Sequence, residues 1–181
     1  MKLFTIGHSN HTQEKLVQLL VDHGIQTVVD VRTSPYSRHN PQFNKENLEF
    51  WLSRSRIKYI FSGKHLGGRP SDPSCYKGGK LPDEEEADFL HQVDYRAVMQ
   101  KPWFEKAIEQ LLKTAEETPT AILCSEEDPA NCHRHHLIAR YIMEYYPEVE
   151  VRHIRGDGTE YGAASILKSV DQEKGDQLKL F

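Results

Sequence analysis

The run Thr27-Val-Val-Asp-Val31 constrains this chain most, because it is β-branched and apolar at nearly every position and shows no polar alternation. A strand with one wet face alternates, whereas a strand buried on both faces does not. Strands of the second kind belong to parallel sheets covered by helices on both sides. The run therefore predicts a central strand with a carboxylate, Asp30, at its end and a cation, Arg32, just beyond.

The remaining chain supplies partners in strict alternation. Leu3 to Ile6 is a short strand stopped by Gly7, and Asn10 or Thr12 can cap a helix whose Leu16, Leu19, Leu20 and His23 share a stripe before Gly24 ends it. Asn44 can cap a second helix with Leu48, Trp51 and Leu52 on one face, and Ile57 to Phe61 reads as a third strand. Helices are expected from Asp83 to about Met99, from Pro102 to about Glu117, and from Cys132 to Tyr146. Strands are expected at Thr120 to Cys124 and Val149 to Ile154. The pattern predicts an α/β fold: a three-layer, mostly parallel sheet of about five strands with helices on both faces. Residues 1–155 form the expected single domain, and 156–181 a polar tail ending in a docking peptide.

Several function classes are disfavoured by composition. A length of 181 residues suits one core with a tail, and no apolar run approaches the roughly 20 residues that span a bilayer. No secretory leader is visible before the first strand, so a cytoplasmic, membrane-free location is expected. Cys75, Cys124 and Cys132 are an odd number and make a poor disulfide framework. A net charge of −4 argues against coating nucleic acid by bulk electrostatics and leaves room for a locally basic pocket.

Chemistry concentrates where the strands end, which in open α/β sheets is where ligands bind. The first exit carries His8 and Ser9, the second Asp30 and Arg32, the fourth Cys124, Ser125 and Glu126, and the fifth His153 and Arg155. Polar exits alone mean only solvent. Reactive types at four of them point to a shared site. Arg32, two residues beyond Asp30 and so on the same strand face, can neutralise that carboxylate or hold an anionic ligand.

The segment from Cys124 to His136 is the richest. Asn131 is a candidate cap, which would place Cys132, His133 and Arg134 in a first helical turn that favours an anion or thiolate. Cys132 beside His133 then reads as a nucleophile, with a buried structural cysteine as the alternative. Cys124, within the strand end, reads as structural. Glu126 and Asp30 are candidate proton carriers, and Arg32 and Arg134 candidate anion holders. The cysteines lie eight residues apart with no second CxxC-like pair, so no metal is assigned. The phosphatase-type spacing of cysteine and arginine fails at Ala130, and no cofactor is named by any fingerprint.

Between Ser62 and Pro82, seven glycines and prolines predict an irregular functional loop, in which Gly67 and Gly68 would let backbone approach a ligand closely. Tyr36, Arg38, His39 and Phe43 mix aromatic and cationic groups suited to stacking on bases.

Taken together, Thr5-Ile-Gly-His-Ser9, Asp30-Val-Arg32 with Pro35 and Ser37, Leu66-Gly-Gly68, and Cys124 with Glu126 followed by Cys132-His-Arg134 resemble the family called domain of unknown function 488. The resemblance implies a fold and a shared pocket rather than a reaction. The Val-Val-Asp-Val-Arg run also looks like the rhodanese sulfurtransferases over the first third, which implies sulfur transfer through Cys124 or Cys132 as an alternative.

The tail adds an independent indication. Gln177-Leu-Lys-Leu-Phe181 looks like the peptide with which bacterial replication and repair proteins bind the DNA sliding clamp. Gln177 would make a polar contact while Leu180 and Phe181 fill apolar pockets; packing of the same residues on their own domain is the alternative. The expected function is thus a bacterial DNA-associated enzyme handling a nucleotide or nucleic-acid group. A sulfurtransferase or a non-catalytic nucleic-acid-binding adaptor is the alternative.

Overall fold

The computed structural model describes residues 1–83 and 88–166. Strand β1 (Lys2–Gly7) is followed by α1 (Gln13–Asp22), capped by the Thr12 hydroxyl, and by β2 (Thr27–Asp30). Helix α2 (Lys45–Arg54) starts after Asn44, whose side chain is drawn away to the Ser37 amide at 2.7 Å. Then come β3 (Lys58–Phe61) and a short helix α3 (Gly63–Leu66) inside the segment expected to be irregular.

The helix expected from Asp83 to Met99 is instead broken. Residues 84–87 lie outside the described residues, and beyond them α4 (Phe89–Gln92) and α5 (Tyr95–Met99) are separate. Asp88 caps the first and Asp94 the second, and between them Val93 bridges to Tyr76. Helix α6 (Pro102–Glu117) leads to β4 (Thr120–Cys124). The last expected helix is π-helical over Arg134–Ala139 before continuing as α7 (Arg140–Tyr145). Strand β5 (Glu150–Ile154) pairs antiparallel with β6 (Glu160–Gly162), a sixth strand lying in the segment read as polar tail.

Among the described residues all other strand pairings in the sheet are parallel, and the sheet order is β3-β2-β4-β1-β5-β6. Alternation sorts the side chains into two cores. Val28, Ala121 and Leu123 pack with α1 and α2 through Leu16, Leu20, Leu48 and Leu52, whereas Val29, Ile122 and Cys124 pack with α6 and the π-helix through Phe104, Ile108, Leu137 and Ile138. The fold is therefore a three-layer α/β sandwich.

Topology fixes the site. Chains leaving β1 and β2 cross on the α1/α2 face, while the chain leaving β4 crosses on the opposite face. Since β4 lies between β1 and β2, connections diverge on both sides of its carboxyl end, which is where such sheets open a crevice. Among the described residues no helix is long and apolar enough to cross a membrane.

Candidate active site at the strand ends

Gly7 pairs with Cys124 across β1 and β4, and Asp30 with Leu123 across β2 and β4, so three exits stand at one level. The pairing continues past the strands: the His8 amide donates to the Cys124 carbonyl (2.9 Å), Ser9 to Ser125 (2.8 Å) and Val31 to Leu123 (3.0 Å). Ser9 is in the left-handed region, φ 47°, a conformation unusual for a residue with a side chain. A cavity of about 770 Å³ opens above, lined among others by His8, Ser9, Arg32, Tyr36, Gly68, Arg69, Glu126 and the Cys124/Cys132/His133 group.

Asp30 is fully buried and saturated. Its Oδ1 accepts from the Arg32 amide (3.1 Å) and Nε (2.9 Å), and its Oδ2 from Arg32 Nη2 (2.6 Å) and the Tyr59 hydroxyl (2.9 Å). Burial, followed by the Asp30 charge, pushes the Tyr59 hydroxyl well above the ordinary phenol range. Arg32 Nη1 also meets His8 Nε2 at 3.2 Å. Among the described residues those bonds leave one N–H on each terminal nitrogen unpaired, and Arg32 lines the cavity where a ligand would meet them. His8 Nδ1 lies 2.8 Å from the Ser9 carbonyl, so this nitrogen carries the proton and Nε2 accepts from Arg32. Burial, then the Arg32 charge, lowers the His8 pKa to about 4, and the ring stacks on Phe43 with centroids 4.4 Å apart.

That stacking removes Phe43 from the groups expected to stack on a ligand, since it is fully buried. Tyr36 stays available, 67% exposed on the cavity wall. Arg69 and Phe89 line the same cavity, with the Arg69 guanidinium carbon 4.3 Å from the centre of the Phe89 ring.

His133 sits between two cysteines. Its Nδ1 is 3.6 Å from Cys124 Sγ and 3.9 Å from Cys132 Sγ, and the three donor atoms lie within 4.8 Å of one another. Its Nε2 is 3.2 Å from the Val31 carbonyl and 3.1 Å from that of Leu66, which fixes the proton there and turns the Nδ1 lone pair toward the sulfurs. Gly68 closes the other flank, where a Cβ would come within 2.8 Å of the ring. Burial works to raise the pKa of Cys132, but opposing influences, led by the hydrogen bond from Cys124 and including the nearby Arg134 charge, carry the thiol well below its ordinary value. Cys124 is driven the other way, by its bond to Cys132 and by burial.

The helix start differs from expectation. Asp128 caps a 3₁₀ turn, Pro129–Asn131, through the Ala130 amide (3.0 Å), so Asn131 is inside that turn. Cys132 is extended, and its carbonyl accepts from His135 (3.0 Å) and His136 (3.2 Å). Cys132 stands at the C-terminal cap of that 3₁₀ turn rather than in a first helical turn, His133 is the cap of the π-helix and Arg134 begins it.

Arg134, expected at an anion, is fully buried and turned away from the cavity. Nε meets Thr5 Oγ1 (3.2 Å), Nη1 donates to the Glu126 carbonyl and Nη2 to that of Glu127 (2.7 Å). The same loop leans on β1: a Cβ on Gly7 would run into the Glu126 carbonyl. Glu127 is engaged by Arg155 at 2.9 and 2.7 Å, whereas the exposed Glu126 carboxylate has no partner among the described residues. Gly67 packs against the residues after β2 and the start of α3, where a Cβ would strike the Thr33 hydroxyl and the Gly63 carbonyl.

His153 also leaves the site. The Thr5 hydroxyl lies 2.7 Å from its Nδ1, and its Nε2 is 3.0 Å from His135 Nδ1, all buried. Sequence reasoning missed Tyr59, although it lies two residues from Phe61, the register partner of Asp30, and that period-two relation was the available signal. Thr33, Asn40, Asp88 and Tyr95, further lining residues, carried none. Gln177, Leu180 and Phe181 lie outside the described residues.

Fold and site together define a mostly parallel α/β domain with a polar, cysteine-containing pocket at its strand ends. A family model described as Domain of unknown function DUF488 matches residues 12–142, and the chain belongs to that family. It matches no curated protein and no solved structure.

Proposed function

We propose that this protein is an enzyme acting on a nucleotide or nucleic-acid group held in the strand-end cavity. The observation that carries the reading is the convergence, in one cavity, of a buried but unsaturated guanidinium, an exposed aromatic ring and a Cys-Cys-His group. In this reading Arg32 binds a phosphate, Tyr36 stacks on the base, Cys124, Cys132 and His133 are the reacting centre, and Glu126 carries protons. Asp30 and Arg134 act as positioning residues, the first holding Arg32 and the second holding the loop that presents Glu126.

Binding of nucleoside monophosphates and a short single-stranded oligonucleotide to the full chain, by calorimetry and anisotropy, tests this. Tyr36→Ala removes an exposed ring and should weaken binding about tenfold or more. No binding of any of these ligands to the unaltered chain rejects the reading.

Sulfur transfer is a second reading, favoured by two sulfurs facing one imidazole. It requires a persulfide on Cys124 or Cys132, formed when the thiolate takes the sulfane sulfur of a donor such as thiosulfate and sulfite leaves, and visible by mass spectrometry as one added sulfur atom. The sequence of the tail supports recruitment to a bacterial sliding clamp. Purified clamp should bind the full chain and lose affinity for a chain lacking residues 177–181; equal affinity, or none, rejects docking.

A further inference from the structure

Three protein ligands, not four, are what a catalytic metal site uses, because the fourth position is kept for water or substrate. The eight-residue spacing and the missing second pair argue only against a closed structural site. From Cys124, Cys132 and His133 we infer a mononuclear zinc-type site whose fourth position opens on the strand-end cavity. The inference rests on reading these three residues as the reacting centre, and it assigns that centre its chemistry.

The geometry carries it. A tetrahedral ion with metal–sulfur bonds of about 2.3 Å and metal–nitrogen bonds of about 2.0 Å sets sulfur and nitrogen about 3.5 Å apart. Here the Cys124 and Cys132 sulfurs lie 3.6 and 3.9 Å from His133 Nδ1. A ligating imidazole needs its other N–H anchored so that the free lone pair points at the ion. The Val31 and Leu66 carbonyls anchor Nε2. Gly68 holds the ring from the side, where any side chain would press on it.

The three residues come from two places, a strand end and a helix cap, both fixed by backbone bonds. Among the described residues no fourth histidine, cysteine or carboxylate joins the group. All three residues line the cavity, so the remaining coordination position faces the ligand space. Two thiolates and a neutral imidazole suit a zinc-class ion better than magnesium or calcium, which select oxygen donors. Such an ion lowers the pKa of a bound water toward neutrality, and the Glu126 carboxylate lines the same cavity to receive a proton.

The test uses the untagged full chain, loaded with zinc alone, passed through gel filtration and analysed by elemental mass spectrometry. About one zinc per chain should be retained. Cys124→Ser and Cys132→Ser should each lower retention at least tenfold, and Cys75→Ser, outside the group, should not. Should the ligand variants fail to fold, cobalt substitution of the unaltered chain decides: intense visible bands with sulfur-to-cobalt charge transfer support the site. A pale octahedral spectrum or no bound cobalt overturns it. Nucleotide binding is measured on the same zinc-loaded and cobalt-substituted samples. Nucleotide binding without metal binding overturns the metal site alone, and a cobalt–thiolate spectrum without nucleotide binding supports it while rejecting the substrate assignment.

Discussion

Asp30 and Arg32, two residues apart on one strand exit, form a two-pronged ion pair with contacts of 2.9 and 2.6 Å, and neither is more than 4% exposed. A pair this deep is weak as a source of net stability, since both charges have left water, but removing one partner strands the other. Asp30→Asn should therefore cost about 3 to 5 kcal/mol in urea denaturation. The double variant with Arg32→Met should lose less than the sum of the single losses, because no buried charge is then left alone. Additive losses would show that the two do not act as a unit.

Gly7→Ala should be among the most damaging single changes. The Glu126 backbone occupies the place of the new Cβ, and backbone cannot swing aside as a long side chain does. The segment from the Cys124 carbonyl to Asp128 must lift, releasing the amide bonds of His8 and Ser9. A loss of about 3 kcal/mol is expected, and hydrogen exchange should show those two amides losing protection while β5 keeps its own. Unchanged protection at His8 and Ser9 would contradict the packing.

The same close approaches explain what could and could not be read in advance. Asp30 and Arg32 were legible as a pair because strand periodicity puts residues two apart on one side, and an apolar run leaves a carboxylate few other partners. The parallel sheet was legible because burial on both faces suppresses alternation in Thr27 to Val31. Arg134 was not, since its direction depends on carbonyls that the Glu126–Glu127 turn brings beneath it. The break at Val93 was hidden by continuous helical periodicity, although Asp88 and Asp94 each cap a short helix. Strand β6 was hidden because an edge strand paired on one side has polar residues such as Glu160 and resembles a loop.

Glu126 offers a contrast to Asp30. Its carboxylate is exposed and has no partner among the described residues, so Glu126→Gln should change stability by less than about 0.5 kcal/mol. If it carries protons for the reaction, turnover of a nucleotide that binds should fall by about 10² to 10⁴ with affinity nearly unchanged. Mass spectrometry of substrate mixtures, run beside thermal denaturation, measures both. Equal conversion by the variant would remove Glu126 from the reaction.

Acid should loosen this protein through its buried imidazoles. Burial, then the neighbouring His136 and Arg134 charges, lowers the His135 pKa to about 4; burial, then the His135 and Arg134 charges, lowers that of His153 to about 3. His135 Nε2 has no hydrogen-bond partner among the described residues, and His153 bridges His135 and Thr5, so neither ring has solvent to steady a charge. Folded values below the unfolded value of about 6.5 mean the unfolded chain binds protons first. Their stabilising effect is thus complete above about pH 6.5 and declines as pH falls toward the folded values, by at most about 1.4 kcal/mol per pH unit for each ring. His153→Gln keeps a donor and an acceptor at that position and cannot titrate. Urea midpoints between pH 7.5 and pH 4.5, values set on about either side of the histidine range, should fall less steeply for the variant by one proton's share, and identical slopes would exclude His153 as an acid-sensitive element.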